Sequence, residues 1–237
     1  MLIFLRSLLF TLGQWLFTLI FSLFAILTFP LKPVTRYRII SLWARSMLWW
    51  LRVTCGVSYR IIGRENIPEH PSIILSKHQS AWETLAFQQI FPPQVWVLKR
   101  ELLWVPFFGW GLAMTSPIAI DRSAGREALK QMVSQGKDRM KKGFWVVIFP
   151  EGTRMSPGTK GKYHIGGAWL ATHTSSTVVP VAHNAGEFWP KNSFIKKPGT
   201  ITVSICQPIE SAGLKPDALN QQVEQWIEQE MLGLNQK

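Results

Sequence analysis

Residues 7–29 form an unbroken run of 23 positions without a charged side chain. A helix rises about 1.5 Å per residue, so this run is long enough to cross a hydrocarbon core of about 30 Å. Such a segment must bury apolar surface in lipid or protein, and that requirement constrains the rest of the chain. A cleaved signal peptide has an apolar region of about 7–15 residues and a small-residue cleavage site. This run is longer and ends in Thr28-Phe29-Pro30, so it reads as a retained membrane segment. A second apolar stretch, residues 39–51, is interrupted by Arg45 and bounded by Arg38 and Arg52. It is too short to span a bilayer. It reads as a helix in the interface, with Trp43, Trp49 and Trp50 at headgroup depth, or as the second arm of a re-entrant hairpin. One cation, Arg6, precedes the first run; Lys32, Arg36, Arg38, Arg45 and Arg52 follow it. The positive-inside rule then places the remaining chain in the cytoplasm, at the inner membrane if the source is bacterial.

The net charge is +12 and twelve residues are tryptophan. A basic surface favours nucleic acid, anionic lipid or phosphorylated substrates. Zinc-finger spacing, an RNP pattern and a basic-region helix are all missing, and the basic residues are interleaved with Trp and Leu. An anionic membrane surface is therefore the expected partner, and nucleic acid is not. Cys55 and Cys206 lack a C-x-x-C partner and read as small buried hydrophobes. His164, His173 and His183 have no metal-ligand spacing, so neither a metal nor a resident cofactor is expected.

Beyond residue 55 the pattern changes. Short β-rich runs recur at 57–62, 72–76, 95–98, 117–120, 144–149, 177–182 and 200–206. Helical patterns fall at 80–90, 124–142, about 164–174 and 217–232. In the last of these Leu219, Val223, Trp226, Ile227 and Met231 form an apolar stripe. Strands alternating with helices predict a layered α/β domain with a largely parallel sheet over 56–237, preceded by membrane-associated helices over 1–55.

The run 72–76 leads into Lys77-His78-Gln79-Ser80-Ala81-Trp82-Glu83-Thr84. A loop after a strand is where α/β domains carry chemistry. An imidazole takes and returns a proton near neutral pH, which makes His78 the candidate general base. Glu83 is the candidate orienting carboxylate. Five residues apart on one helix they would lie about 140° apart, so His78 must sit in the loop and Glu83 in the first turn. Ser80-x-x-Glu83 has the form of a capping box, with Ser80 as N-cap and Glu83 at N3. That also supplies a purely structural job for Glu83.

His78-x-x-x-x-Glu83 resembles the H-x-x-x-x-D signature of the glycerolipid acyltransferases, typified by 1-acylglycerol-3-phosphate acyltransferases, with Glu in place of Asp. Phe149-Pro150-Glu151-Gly152-Thr153-Arg154 matches that family's F-P-E-G-T-R block throughout. Ile118-Ala119-Ile120-Asp121-Arg122 is similar to the block ending in I-D-R, and Val178-Val179-Pro180-Val181-Ala182 to the final V-P-V block. Lys99-Arg100-Glu101-Leu102, followed by Pro106 and Phe108-Gly109, looks like its K-x-E-L…P-x-x-G segment. The resemblance covers residues 57–205. It implies transfer of a fatty acyl group from acyl-CoA or acyl carrier protein to lysophosphatidic acid, giving phosphatidic acid. It also implies that Glu151, Gly152, Thr153 and Arg154 bind substrate.

Physical chemistry adds roles. Arg154 follows a strand and a glycine turn, and a guanidinium grips phosphate in bidentate fashion. Glu151 can orient Arg154 or contact the glycerol, and Gly152 permits close backbone approach. Lys99 and Arg122 are further phosphate candidates; Arg122 can equally pair with Asp121 or lie at the membrane surface. Residues 95–112, rich in Trp, Phe, Leu and Val, read as an apolar slot for an acyl chain, or as ordinary core or membrane contact. Other acceptors remain open: another lysophospholipid, glycerol 3-phosphate or an ornithine-type lipid. A lipid esterase would need a nucleophile elbow such as G-x-S-x-G, which the chain lacks. A non-enzymatic membrane-surface protein would use the anchor, charge and tryptophans alone.

Overall fold

A computed structural model of the chain describes residues 1–121 and 124–234. Seven strands form one sheet: β1 (Val57–Ile62), β2 (Ile73–Ser76), β3 (Gln94–Lys99), β4 (Ile118–Ile120), β5 (Trp145–Ile148), β6 (Val178–His183) and β7 (Gly199–Ile205). Their spatial order is β1-β7-β6-β2-β5-β3-β4. All neighbours are parallel except β6 and β7, where Val181 lies opposite Ile205 in an antiparallel pair. The expected layered α/β fold with a largely parallel sheet is therefore the observed one.

Period-two alternation divides the strand side chains between two cores. Ile74, Trp96, Val147, Val179 and Val181 belong to one buried cluster; Ile73, Leu75, Val95, Val146 and Val178 belong to the other. Helix α4 (Trp82–Ile90) covers the first face with Leu85, Ala86 and Phe87. Helices α6 (Gly125–Lys141), α7 (Gly166–Thr174) and α9 (Pro216–Leu234) contribute Met132, Leu170, Leu219, Val223 and Ile227 to the second. The body also contains α5 (Phe108–Met114), the single turn α8 (Ala185–Phe188) and 3-10 turns at Arg64–Asn66 and Arg100–Trp104.

The N-terminal uncharged run is one helix, α1 (Leu2–Leu27), long and apolar enough by length and composition to cross a membrane. The second apolar stretch is two helices, α2 (Pro33–Ile40) and α3 (Leu42–Cys55), separated at Ser41. Helix α3 buries Ala44, Met47, Leu51 and Cys55 and exposes Trp49 and Val53. It ends where Gly56 takes the left-handed conformation (φ 68°).

Helix α1 touches the α/β body near both of its ends. Phe4 packs on Phe194, with ring centroids 5.2 Å apart, and Phe10 meets Trp189 edge-on at 5.2 Å. The Lys196 amide donates to Ser7 Oγ at 3.0 Å. Toward the other end, Gly111 of α5 lies against Ser22, and Ala25 is buried. Phe10, Ala44, Met47, Leu51 and Cys55 share one cluster with Trp82 and Phe87, so the N-terminal helices and the sheet share a core. The middle of α1 packs on α3 through Phe17 and Trp50, and the remaining surface is bare, with Leu12, Trp15, Phe24 and Leu27 all more than half exposed.

Candidate active site

Parallel strands end on the same edge, and this sheet brings the sequence motifs together there. Across it the order β6-β2-β5-β3-β4 sets His183, then His78, then Glu151 and Arg154, then Lys99, then Asp121. With strands about 4.8 Å apart, Lys99 is rooted about 10 Å from the end of β2. Arg122 follows Asp121 at the end of β4 and lies outside the described residues.

His78 sits in the loop between β2 and α4, and its Nδ1 lies 2.8 Å from Glu83 Oε1. That same oxygen accepts the Gln79 amide at 2.9 Å and the Ser80 amide at 2.8 Å. One carboxylate oxygen thus serves both as the helix-terminal acceptor and as the partner of the histidine. The N-cap is Ala81 rather than Ser80, and Ser80 Oγ turns instead to the Trp82 amide at 3.1 Å. The expected capping box is therefore half formed: Glu83 reaches back to the Ser80 amide, but Ser80 does not cap the Glu83 amide.

The Glu83 side chain is fully buried. Burial alone would push its carboxyl up. The neighbouring His183 and His78 imidazoles, the His78 hydrogen bond and the Ser80 amide outweigh that and hold it below the usual carboxylate range. An ionised Glu83 can only accept, so His78 Nδ1 carries the proton, which in the neutral ring leaves Nε2 with its lone pair. The imidazole is stacked on Phe149 at 3.8 Å and 9°, and Phe149 stacks on Trp96 at 5.7 Å. The His78 side chain is 14% exposed, so the ring is fixed yet reachable.

The F-P-E-G-T-R loop packs directly against this histidine. The Met155 amide donates to the His78 carbonyl at 2.7 Å, and the His78 amide donates to Glu151 Oε2 at 3.2 Å. Glu151 Oε1 accepts from Lys77 Nζ at 2.8 Å and from the Gly161 amide at 3.0 Å. Glu151 is thus committed to the backbone around His78 and not to Arg154, and its side chain is closed off from solvent. Gly152 supplies the left-handed turn (φ 67°), and Thr153 is exposed. Arg154 is half-buried, and among the described residues its guanidinium makes no hydrogen bond or ion pair. Lys99 is exposed and likewise has no counter-ion among them. Lys191 Nζ lies 3.4 Å from Thr153 Oγ1, adding a cation beside Arg154.

Sequence reasoning missed two residues next to the histidine. Lys77 is almost fully buried, and His183 is fully buried. His183 Nε2 donates to the Lys77 carbonyl at 2.9 Å, while its Nδ1 accepts the Ala185 amide at 3.3 Å. This is a neutral imidazole. Burial pulls it below its ordinary value of 6.5, an effect that the Glu83 charge and the Lys77 carbonyl oppose without overcoming. His183 directly follows the V-P-V-A block, so its neighbourhood was visible in the sequence but its aim was not.

An acyltransferase family model matches residues 58–184, the segment that holds the His78 loop, the F-P-E-G-T-R loop and β6. The chain belongs to the acyltransferase family. This acyltransferase is 50% identical, over 85% of its own length and 80% of the relative's, to a 1-acyl-sn-glycerol-3-phosphate acyltransferase of Pseudomonas aeruginosa. It is 31% identical to the enzyme of the same name from Saccharomyces cerevisiae over 75% of the chain, and it spans 60% of that protein's length. The crystal structure of the 1-acyl-sn-glycerophosphate acyltransferase from Thermotoga maritima superposes with a TM-score of 0.81. That match covers 98% of this acyltransferase and 96% of the other chain at 21% identity, so the two share a fold.

Proposed function

We propose that the acyltransferase moves a fatty acyl group from the thioester of acyl-CoA or acyl carrier protein to the free hydroxyl of lysophosphatidic acid, giving phosphatidic acid. The observation that carries this reading is the His78–Glu83 pair. Its Nε2 is free to accept a proton, and it sits on the same sheet edge as Arg154, which has no partner among the described residues. The relatives named as acylglycerol-phosphate acyltransferases support the choice of acceptor.

In this mechanism His78 Nε2 takes the acceptor's hydroxyl proton as the oxygen attacks the thioester carbonyl. Glu83 holds the ring and balances the imidazolium. The tetrahedral intermediate collapses, the C–S bond breaks, and His78 returns its proton to the departing thiolate. No acyl-enzyme is required, because the thioester is already activated. Base catalysis contributes about 10²–10⁴-fold, and holding two substrates in line contributes much of the remainder. Arg154 and Thr153, with Lys99 and Arg122 further along the edge, supply the phosphate side. Glu151 acts through the backbone it holds.

An apolar pocket between α1, α2, α5 and β3 is lined by Phe21, Ala25, Tyr37, Trp96, Phe108 and Leu112. Trp96 connects it through Phe149 to His78. This is the place for an acyl chain, at about 0.8 kcal/mol per buried methylene. We place α1 within one leaflet, because both of its ends pack on the same body. The lipid acceptor then arrives in the membrane plane and the donor from the cytoplasm. The test is an assay of the purified enzyme with lysophosphatidic acid, glycerol 3-phosphate and other lysophospholipids, each with both donors. Phosphatidic acid as the dominant product supports the reading; faster turnover of a different acceptor rejects it.

A further inference from the structure

Helix α9 reaches the catalytic loop through the Glu228 carboxylate. Lys77, immediately before His78, is 1% exposed, and its ammonium has three acceptors. These are Glu151 Oε1 at 2.8 Å, the Thr159 carbonyl at 3.1 Å and Glu228 Oε1 at 2.8 Å. Three donors meet three acceptors, so the buried cation is saturated. Glu228 Oε1 also accepts from Tyr163 OH at 2.8 Å, which fixes the carboxylate from its other side. The other end of the Lys77 residue is equally constrained, because its carbonyl accepts from His183. Glu151, the second carboxylate on Lys77, holds the His78 amide with its remaining oxygen.

We propose that Glu228 is a positioning residue for acyl transfer, holding Lys77 and, through Glu151, the backbone that aims His78. It rests on His78 being the base of the proposed reaction. Glu228 lies beyond the residues matched by the family model, which end at 184, and beyond every sequence block that pointed to the site. A buried ammonium that loses one acceptor must find another, and those within reach belong to the same loop. The expected consequence is a displaced His78 loop and not a lost substrate contact. Displacement of a catalytic group by about 1 Å costs up to about a hundredfold in rate.

The test uses the full-length enzyme and separates kcat from KM. Glu228→Ala is expected to lower kcat by about tenfold or more, with KM for both substrates within about twofold of wild type. Glu228→Gln is expected to restore most of kcat, because one oxygen receives both hydrogen bonds and an amide oxygen can occupy its place. Glu224→Ala serves as control; Glu224 is on the same helix, in a more exposed pair with Lys160 at 2.6 Å. It is expected to leave kcat unchanged. The comparison is made per folded enzyme and with whichever acceptor the wild type turns over, so a wrong acceptor assignment leaves the ratios intact. An unchanged kcat in Glu228→Ala overturns the proposal. So does a fall in kcat shared equally by Glu224→Ala, or one that disappears after correction for unfolded protein. Tyr163→Phe gives a second reading without opening a cavity, and a several-fold drop in kcat at constant KM is expected.

Discussion

Glu83 Oε1 receives the His78 ring and two backbone amides, so its role at the helix end and its proposed role as catalytic partner cannot be separated by deletion. They can be separated by chemistry. Glu83→Gln keeps an acceptor for the amides but removes the charge that stabilises an imidazolium. It is expected to fold and to lose about a hundredfold or more in kcat. Glu83→Asp keeps the charge and withdraws it by one methylene, so an intermediate loss is expected, read in the same acylation assay. His183 adds a pH effect. Its folded-state value is depressed, so the unfolded chain binds its proton first as pH falls. The stability of the neutral, buried form is fully present above the ordinary imidazole value of 6.5 and declines as pH drops below it. Glu83, also depressed, adds a second decline in the carboxylate range. Thermal melts of the detergent-purified enzyme are expected to shift downward below about pH 6.5, and His183→Gln to flatten that first step.

Among the elements, α1 and α3 meet at Gly13, where an added Cβ would lie 2.0 Å from Trp50 Nε1. Trp50 there donates to the Leu9 carbonyl at 3.3 Å. Gly13→Val is expected to push the helices apart and destabilise the protein by about 1–3 kcal/mol, visible as a lower melting temperature. Elements with a clear period are legible in the sequence. The β1 run 57–62 is the observed strand, and the stripe from Leu219 to Met231 is the buried face of α9. The break between α2 and α3 was not legible, because residues 39–51 are apolar on both sides of Ser41. Helix α5 was also missed, since Phe108-Gly109-Trp110-Gly111 carries two poor helix formers, and its helix is held by packing on α1. The antiparallel β6–β7 pair leaves no local trace at all.

Over the whole molecule, a largely parallel sheet turns five scattered motifs into one edge. Local sequence could place His78 and Glu83 together because five residues separate them. It could not find Glu228 or His183, whose partners are 151 and 106 positions away. The same scale governs the membrane seat. Helix α1 is long enough to cross a bilayer, but Phe4 contacts Phe194 and Ser22 lies against Gly111, which is the basis for the proposed seat with both ends on one side. Tags at the N- and C-termini are therefore expected to react with a membrane-impermeant reagent from the same face; labelling from opposite faces contradicts that seat.

The most direct test of the central claim is acylation of lysophosphatidic acid by purified wild-type enzyme and His78→Ala, measured side by side as phosphatidic acid formed. The wild type should turn over, and the variant should fold normally yet lose at least about 10²–10⁴-fold in rate. A folded His78→Ala protein that forms phosphatidic acid at the wild-type rate would contradict it.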